Sequence, residues 1–108
     1  MAEVEERINR IKNHKGIEGL LIVDEEGKAL RSQFANHGHN DQLPKIYADA
    51  ITKLAKKARS VVRDINPNND LTFFRIRSKK KEVLVAPDKN LFLIVIQVPD
   101  DKEKETYT

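Results

Sequence analysis

Apolar side chains recur every three or four residues in two segments of the chain, and as runs or alternations in five others. Leu43, Ile46, Tyr47, Ala50, Ile51, Leu54, Ala55, Ala58, Val61, Val62 and Ile65 keep the three-four spacing without a break. Residues 43–65 are therefore predicted as one helix of about six turns. Pro67 stops it, and Asn66 is pushed to extended backbone by the proline that follows. Asp41 is placed to cap its start. Its other side is basic, with Lys53, Lys56, Lys57, Arg59 and Arg63. A shorter helix is predicted over 2–14, where Val4, Ile8 and Ile11 make one narrow stripe and Gly16 follows as a stop.

The remaining apolar stretches read as strands. Residues 20–23 are continuously apolar, which suits a strand covered on both faces. Residues 25–27 turn the chain, and 29–34 return with Ala29, Arg31 and Gln33 on one face and Leu30, Ser32 and Phe34 on the other, a hairpin. Residues 71–78 alternate imperfectly, and 82–86 form a short apolar strand that Pro87 and Asp88 should end. LFLIVIQV (91–98) is apolar on both faces and is predicted as a central strand. The order α-β-β-α-β-β-β implies an α/β fold of the α+β type: a five-stranded, mainly antiparallel sheet with a helix on each face. Residues 1–98 form a single domain on this reading. Residues 99–108 are a charged tail without apolar period, expected to be mobile.

Composition narrows the class. At 39% hydrophobic and 34% charged residues, the chain suits a small soluble domain with a modest core. A core of that size stabilises a single copy only marginally, which favours an oligomer. With no cysteine, disulfides, zinc–thiolate sites and thiol catalysis are excluded. The start, MAEVEER, is acidic and unlike a secretory signal, and no apolar run reaches the roughly 18–20 residues of a membrane helix. A cytoplasmic, non-membrane protein is expected. Charge is uneven: residues 1–27 sum to −3, residues 28–98 to +8 and residues 99–108 to −2. The basic middle suits an acidic protein, nucleic acid or a membrane surface.

Candidate chemistry is sparse. DINPNND (64–70) puts Asp64, Asn66 and Asn68 at calcium-loop spacing, but Asn69 stands where glycine is needed and Arg75 where a bidentate glutamate is needed. A helix stop and turn is the better account. His37 and His39 flank a glycine in the polar loop, with no third ligand at a defined spacing, so no metal is expected. The four glycines form no phosphate cradle, and Ser32, Ser60 and Ser78 lie in no nucleophile motif. No enzyme activity, cofactor or small-molecule substrate is expected. FRIRSKKK (74–81) is basic enough to raise nucleic acid. Phe73 and Phe74, however, point to opposite faces of a strand, and the chain has only six aromatic residues, few for a stacking platform.

The block KARSVVRDINPNNDLTFFRIRSKKKEVLVAPDKNLFLIVIQ (57–97) closely resembles the roadblock family of dynein light chains, as does MAEVEERINRIKNHKGIEGLLIVDEEG (1–27). VRDINPNNDLTF, RIRSKK and VAPDK are specific because they are irregular strings. The resemblance implies a homodimer that pairs third strands and long helices into one continuous sheet and binds the dynein intermediate chain. Such a light chain is non-catalytic and helps to build the cargo-binding base of a microtubule motor, in the cytoplasm or in a cilium. The wider superfamily also contains scaffolds and regulators of small GTPases, which is the alternative function. Nucleic-acid binding is a distant third.

The residues support a dimer independently. Residues 71–78 would be an exposed, partly hydrophobic sheet edge in a monomer, and twofold pairing removes that hazard. The expected interface takes Tyr47, Ala50, Ile51, Leu54, Ala55, Ala58 and Val62 from the long helix. From the strand it takes Leu71, Phe73, Arg75 and Arg77. FANHGHNDQLPK (34–45) is longer than the family pattern and the tail is extended; both bear on which dynein is served rather than on the fold.

Overall fold

The computed structural model describes residues 16–34 and 42–99, together with position 6. The predicted helix over 2–14, the Asp41 cap, the loop histidines His37 and His39, and the tail from Asp100 lie outside the described residues. The described elements are β1 (Ile17–Asp24), β2 (Ala29–Phe34), α1 (Leu43–Ile65), β3 (Phe74–Arg77), β4 (Glu82–Asp88) and β5 (Leu91–Gln97). The strands form one sheet in the order β2-β1-β5-β4-β3, with every neighbouring pair antiparallel. As its two-sided apolar pattern predicts, β5 is the central strand.

Strand alternation sorts the core into two layers. Leu21, Val23, Val83, Val85, Phe92, Ile94 and Ile96 face α1, which supplies Ala48, Ile51 and Ala55. Alanine at two of these helical positions lets the helix backbone lie close to the sheet. Leu20, Ile22 and Val95 are buried on the far face, with Ile17, Leu84, Leu91 and Leu93 around them. Each fully buried Leu, Ile or Val contributes about 1.5–3 kcal/mol relative to exposure. Phe34 of β2 folds its ring over Gly19, where an added Cβ would stand 2.7 Å from a ring carbon, and leans on Tyr47 with ring centroids 6.0 Å apart. A side chain at position 19 would displace that ring.

Turn chemistry fixes the register. Asp24 Oδ1 accepts from the N–H groups of Glu26 at 3.0 Å and Lys28 at 2.9 Å, and Gly27 takes the left-handed conformation at φ 89°. Ser78 bonds Lys81 through both backbone and hydroxyl, closing the β3–β4 hairpin. Lys89 and Asn90 both have positive φ, as a two-residue hairpin turn between β4 and β5 requires.

Two strand limits differ from the sequence pattern. β4 runs through Pro87 to Asp88, because β3 pairs with it only as far as Val85. Beyond that point β4 has a neighbour on one side, where a missing N–H is tolerated. β3 starts at Phe74 rather than residue 71. In the same register Thr72 would stand opposite Pro87, which has no N–H to give to a ladder. The helix keeps its predicted limits. Asn66 closes it in extended geometry (φ −149°, ψ 108°) ahead of Pro67, while Gln42 starts it without a side-chain cap.

A buried hydroxyl is unpartnered among the described residues. Thr52 Oγ1, on the sheet side of α1, has no hydrogen-bond partner there. Thr52→Val keeps the shape and removes the orphaned hydroxyl, so it is expected to stabilise the fold by about 1 kcal/mol. A thermal melt reads the change, and a lower midpoint would show that the hydroxyl has a partner in solution.

Candidate protein-binding site

The helix carries two apolar stripes. One, with Ala48, Ile51 and Ala55, is buried against the sheet. The other is exposed: Leu54, Val61 and Ile65 lie within about 40° of one another on the helical wheel, and Ile46 extends the stripe toward the N-terminus. Leu54 is 41% exposed and Ile65 81%. The basic flank with Lys56, Arg59, Ser60 and Arg63 looks at Glu25 and Glu26 of the β1–β2 turn. The exposed stripe is about 160° round the helix from that flank, and the β4–β3 side of the sheet lies beyond the strands on which the helix packs. There α1 gives little cover, because it packs on β1, β2 and β5. The result is an apolar step: a helix wall with a floor that includes the half-buried Phe74 and Ile76 of the edge strand.

A second cluster sits on the far face of the same edge. Glu82 is 1% exposed, and its Oε1 accepts from Gln97 Nε2 at 2.6 Å. Arg75 Nε lies 3.6 Å from Oε1 and Arg77 Nε 3.4 Å from Oε2. These are ion pairs longer than hydrogen bonds, and Oε2 accepts no hydrogen bond from the described residues. A buried carboxylate is costly without compensation, so two guanidinium groups from β3 hold it in the sheet. Beside this cluster, Lys81 reaches Glu18.

The connection from α1 to β3 is clasped to the helix. Asp70 accepts from Arg59 Nε at 2.9 Å, Arg59 Nη2 at 3.1 Å and Arg63 Nη2 at 3.2 Å. Asn66 Oδ1 accepts from the Asn68 N–H and Asn69 Oδ1 from the Asp70 N–H, so the Asn/Asp-rich string is a sequence of side-chain-to-backbone turns. The Arg59 hydrogen bond, helped by the Leu71 N–H, holds the Asp70 carboxyl below the usual carboxylate range; the same pairing raises Arg59. A lowered acid favours the fold above its ordinary value, and the benefit is lost as pH falls through the lowered one. The Arg59 Nε–H resonance should therefore stay put through neutral pH and move only once the pH falls below the ordinary carboxylate range. In Asp70→Asn it should be displaced at every pH, and a wild-type signal that moves near pH 6 would contradict the clasp.

The expected interface residues divide. Leu54 and Ala50 are exposed on the helix, Tyr47, Ala58 and Val62 are half-buried, and Phe73 and Arg75 are exposed at the edge. Leu71 and Arg77 are half-buried. Ile51 and Ala55 belong to the chain's own core, at 7% and 0% exposure. Ile46, Val61 and Ile65 join the exposed stripe although only the core pattern marks them in the sequence. Their signal is the width of that pattern, which is more than one sheet can cover. Glu82 is legible only in hindsight: a turn at 78–81 sets it opposite Arg77.

The fold agrees with that of known proteins. The family profile of the Roadblock/LC7 domain matches residues 3–97. The chain belongs to the Roadblock/LC7 family. A Roadblock/LC7 domain from Streptomyces avermitilis superposes with a TM-score of 0.72 at 13% identity, covering 92% of this chain and 81% of that one. MglB in a tetrameric arrangement gives 0.72 at 10% identity, over 96% of this chain and 77% of its own. The gliding protein MglB from Thermus thermophilus gives 0.71 at 10% identity, over 96% and 78%. At such identities the likeness is one of fold. It places this Roadblock/LC7 chain on a shared sheet-and-helix framework.

Proposed function

We propose that the chain is a non-catalytic adaptor: a twofold dimer of Roadblock/LC7 domains that offers one composite surface to a protein partner. The observation that carries this reading is the apolar step between the exposed stripe of α1 and the floor beside β3. A second copy fits it, with its helix in the step and its β3 edge continuing the sheet. Tyr47, Ala50, Leu54, Ala58, Val62 and the strand residues Leu71, Phe73, Arg75 and Arg77 stand in or beside that seam, while Ile51 and Ala55 support it from behind.

For the partner, the comparisons favour a role as scaffold or regulator of a small GTPase, a class of function found in the wider superfamily. The gliding protein MglB among the similar folds supports it. A second reading rests on a different observation. VRDINPNNDLTF, RIRSKK and VAPDK resemble dynein light chains in strings that form the clasp, the edge strand and the start of the β4–β5 turn. That resemblance supports the dynein intermediate chain as partner, with work at microtubules in the cytoplasm or cilium. Purified chain on beads separates the readings, offered a panel of small GTPases in both nucleotide states and a dynein intermediate-chain segment. Retention of a GTPase alone supports the first reading, and retention of the intermediate-chain segment alone replaces it with the second. Retention of neither contradicts both.

A further inference from the structure

Positive charge is concentrated on one helix. Residues 43–65 carry six basic and two acidic side chains, a net +4, while the whole chain is +3. Everything outside α1 therefore sums to −1. The arginines of α1 are committed, because Arg59 and Arg63 clasp Asp70. Its lysines are not. Lys45, Lys53, Lys56 and Lys57 are exposed and make no ion pair among the described residues.

Helical spacing puts two of these lysines on the outermost face. At 100° per residue, Ile46, Ala50, Lys53 and Lys57 fall within about 60° of one another, and all four are exposed. Their common direction is about 160° from that of Ala48, Ile51 and Ala55, which enter the core. This face lies between the basic flank that looks at the β1–β2 turn and the exposed stripe of Leu54, Val61 and Ile65. It is the outer side of a helix, hence convex. Protein interfaces are depleted in lysine and depend on aromatic and arginine anchors. Here lysine stands among aliphatic side chains instead, with a long apolar stem that lies along such a surface and a charged head that reaches beyond it.

We propose that the outer face of α1 docks on an anionic lipid surface, with Lys53 and Lys57 at the headgroups and Lys45 and Lys56 beside them. The contact is peripheral and reversible. No helix among the described residues is long and apolar enough to cross a membrane, and this contact needs none. Each lysine held near an anionic leaflet tightens binding by about fivefold, and salt screens the effect. The proposal goes beyond the adaptor reading and does not depend on it, since one copy presents the whole face. In a twofold pair with a continuous sheet both helices lie on the same side, so two such faces act together. Nucleic acid fits less well. Asp49 and Asp64 flank the lysine pair along the helix. Mobile lipids can arrange their headgroups around those carboxylates, whereas a duplex holds its phosphates at fixed spacing and would meet them.

The test is co-sedimentation of the full chain with phosphatidylcholine vesicles, with or without phosphatidylserine at about one lipid in three. Duplex DNA and a glutamate homopolymer are offered at the same salt. The serine-containing vesicles are expected to bind the chain at least about tenfold more tightly than phosphatidylcholine alone, with the difference shrinking as salt rises. Lys53→Gln with Lys57→Gln should lose at least about tenfold. Lys79→Gln with Lys80→Gln removes the same charge from the exposed β3–β4 hairpin tip and should stay within about twofold. Circular dichroism checks that both variants fold. Equal binding to the two kinds of vesicle, equal loss in the two double variants, or binding to DNA or polyglutamate without binding to the serine-containing vesicles would overturn the proposal. Lysine-dependent vesicle binding by a chain that sediments as a monomer would defeat the dimer reading and leave this one standing.

Discussion

Removing both arginines that face Glu82 is expected to destabilise the protein by about 3 kcal/mol, among the largest effects available at its surface. Arg75→Ala with Arg77→Ala leaves a carboxylate that is 1% exposed in the wild type with Gln97 as its hydrogen-bond partner among the described residues. Breaking a buried pair by deleting one partner is costly because the remaining charge has lost both water and counter-charge. Arg75 is half exposed, so the estimate sits at the low end of the range for buried pairs. The cycle has an internal control. Adding Glu82→Gln to the double variant removes the stranded charge and should restore more than half of the loss, since the amide still fits beside Gln97. Urea unfolding of the four proteins reads the cycle. If Glu82→Gln in the double variant restores nothing, the ion cluster is not what holds this edge, and the arginines act through their packing.

Leu54→Asp is expected to give a folded monomer. The structure decides the direction of this prediction. A carboxylate placed in a sealed core would unfold the domain, but Leu54 is 41% exposed on the second stripe of α1. In one copy the new carboxylate stays in water. In a dimer whose helices meet along that stripe it is buried against its own twofold mate, and the dimer dissociation constant should rise by at least about a hundredfold. Circular dichroism should remain that of the wild type while the sedimentation coefficient falls. Ile51→Asp is the counterpart: that side chain is in the core, so the domain itself should unfold. A wild-type dimer from Leu54→Asp would remove this stripe from the interface.

Much of the fold was legible because local pattern and tertiary environment agree. LFLIVIQ is apolar on both sides and becomes the centre of the sheet. Pro67 and the residue before it end the helix where the backbone geometry demands. The strand after the helix is an edge of the single chain's sheet, as expected for a copy on its own. What was not legible depends on long-range geometry. The start of β3 is set by Asp70 reaching back to Arg59 and Arg63, and by Pro87 opposite Thr72, neither of which a hydrophobic pattern records. The helix pattern gives one broad apolar stripe. Only the position of α1 over β1, β2 and β5 splits it, sending Ile51 and Ala55 inward and leaving Leu54, Val61 and Ile65 outside. Glu82 reads as an ordinary charged residue at a strand start until its register opposite Arg77 is known.

The basic stretch FRIRSKKK gains a mechanical meaning from this arrangement. Phe74 and Ile76 enter the layer under the helix, while Arg75 and Arg77 hold a buried carboxylate on the other face. Ser78 and Lys81 close the turn. Its charge thus serves the edge strand first, and a partner second.

The adaptor function requires two copies to close that edge. The direct measurement is the mass in solution, by sedimentation equilibrium or light scattering at tens of micromolar, of a chain whose single-copy mass is 12.4 kDa. The account predicts about twice that value, from a twofold pair. A mass that stays at one chain across that range would contradict it.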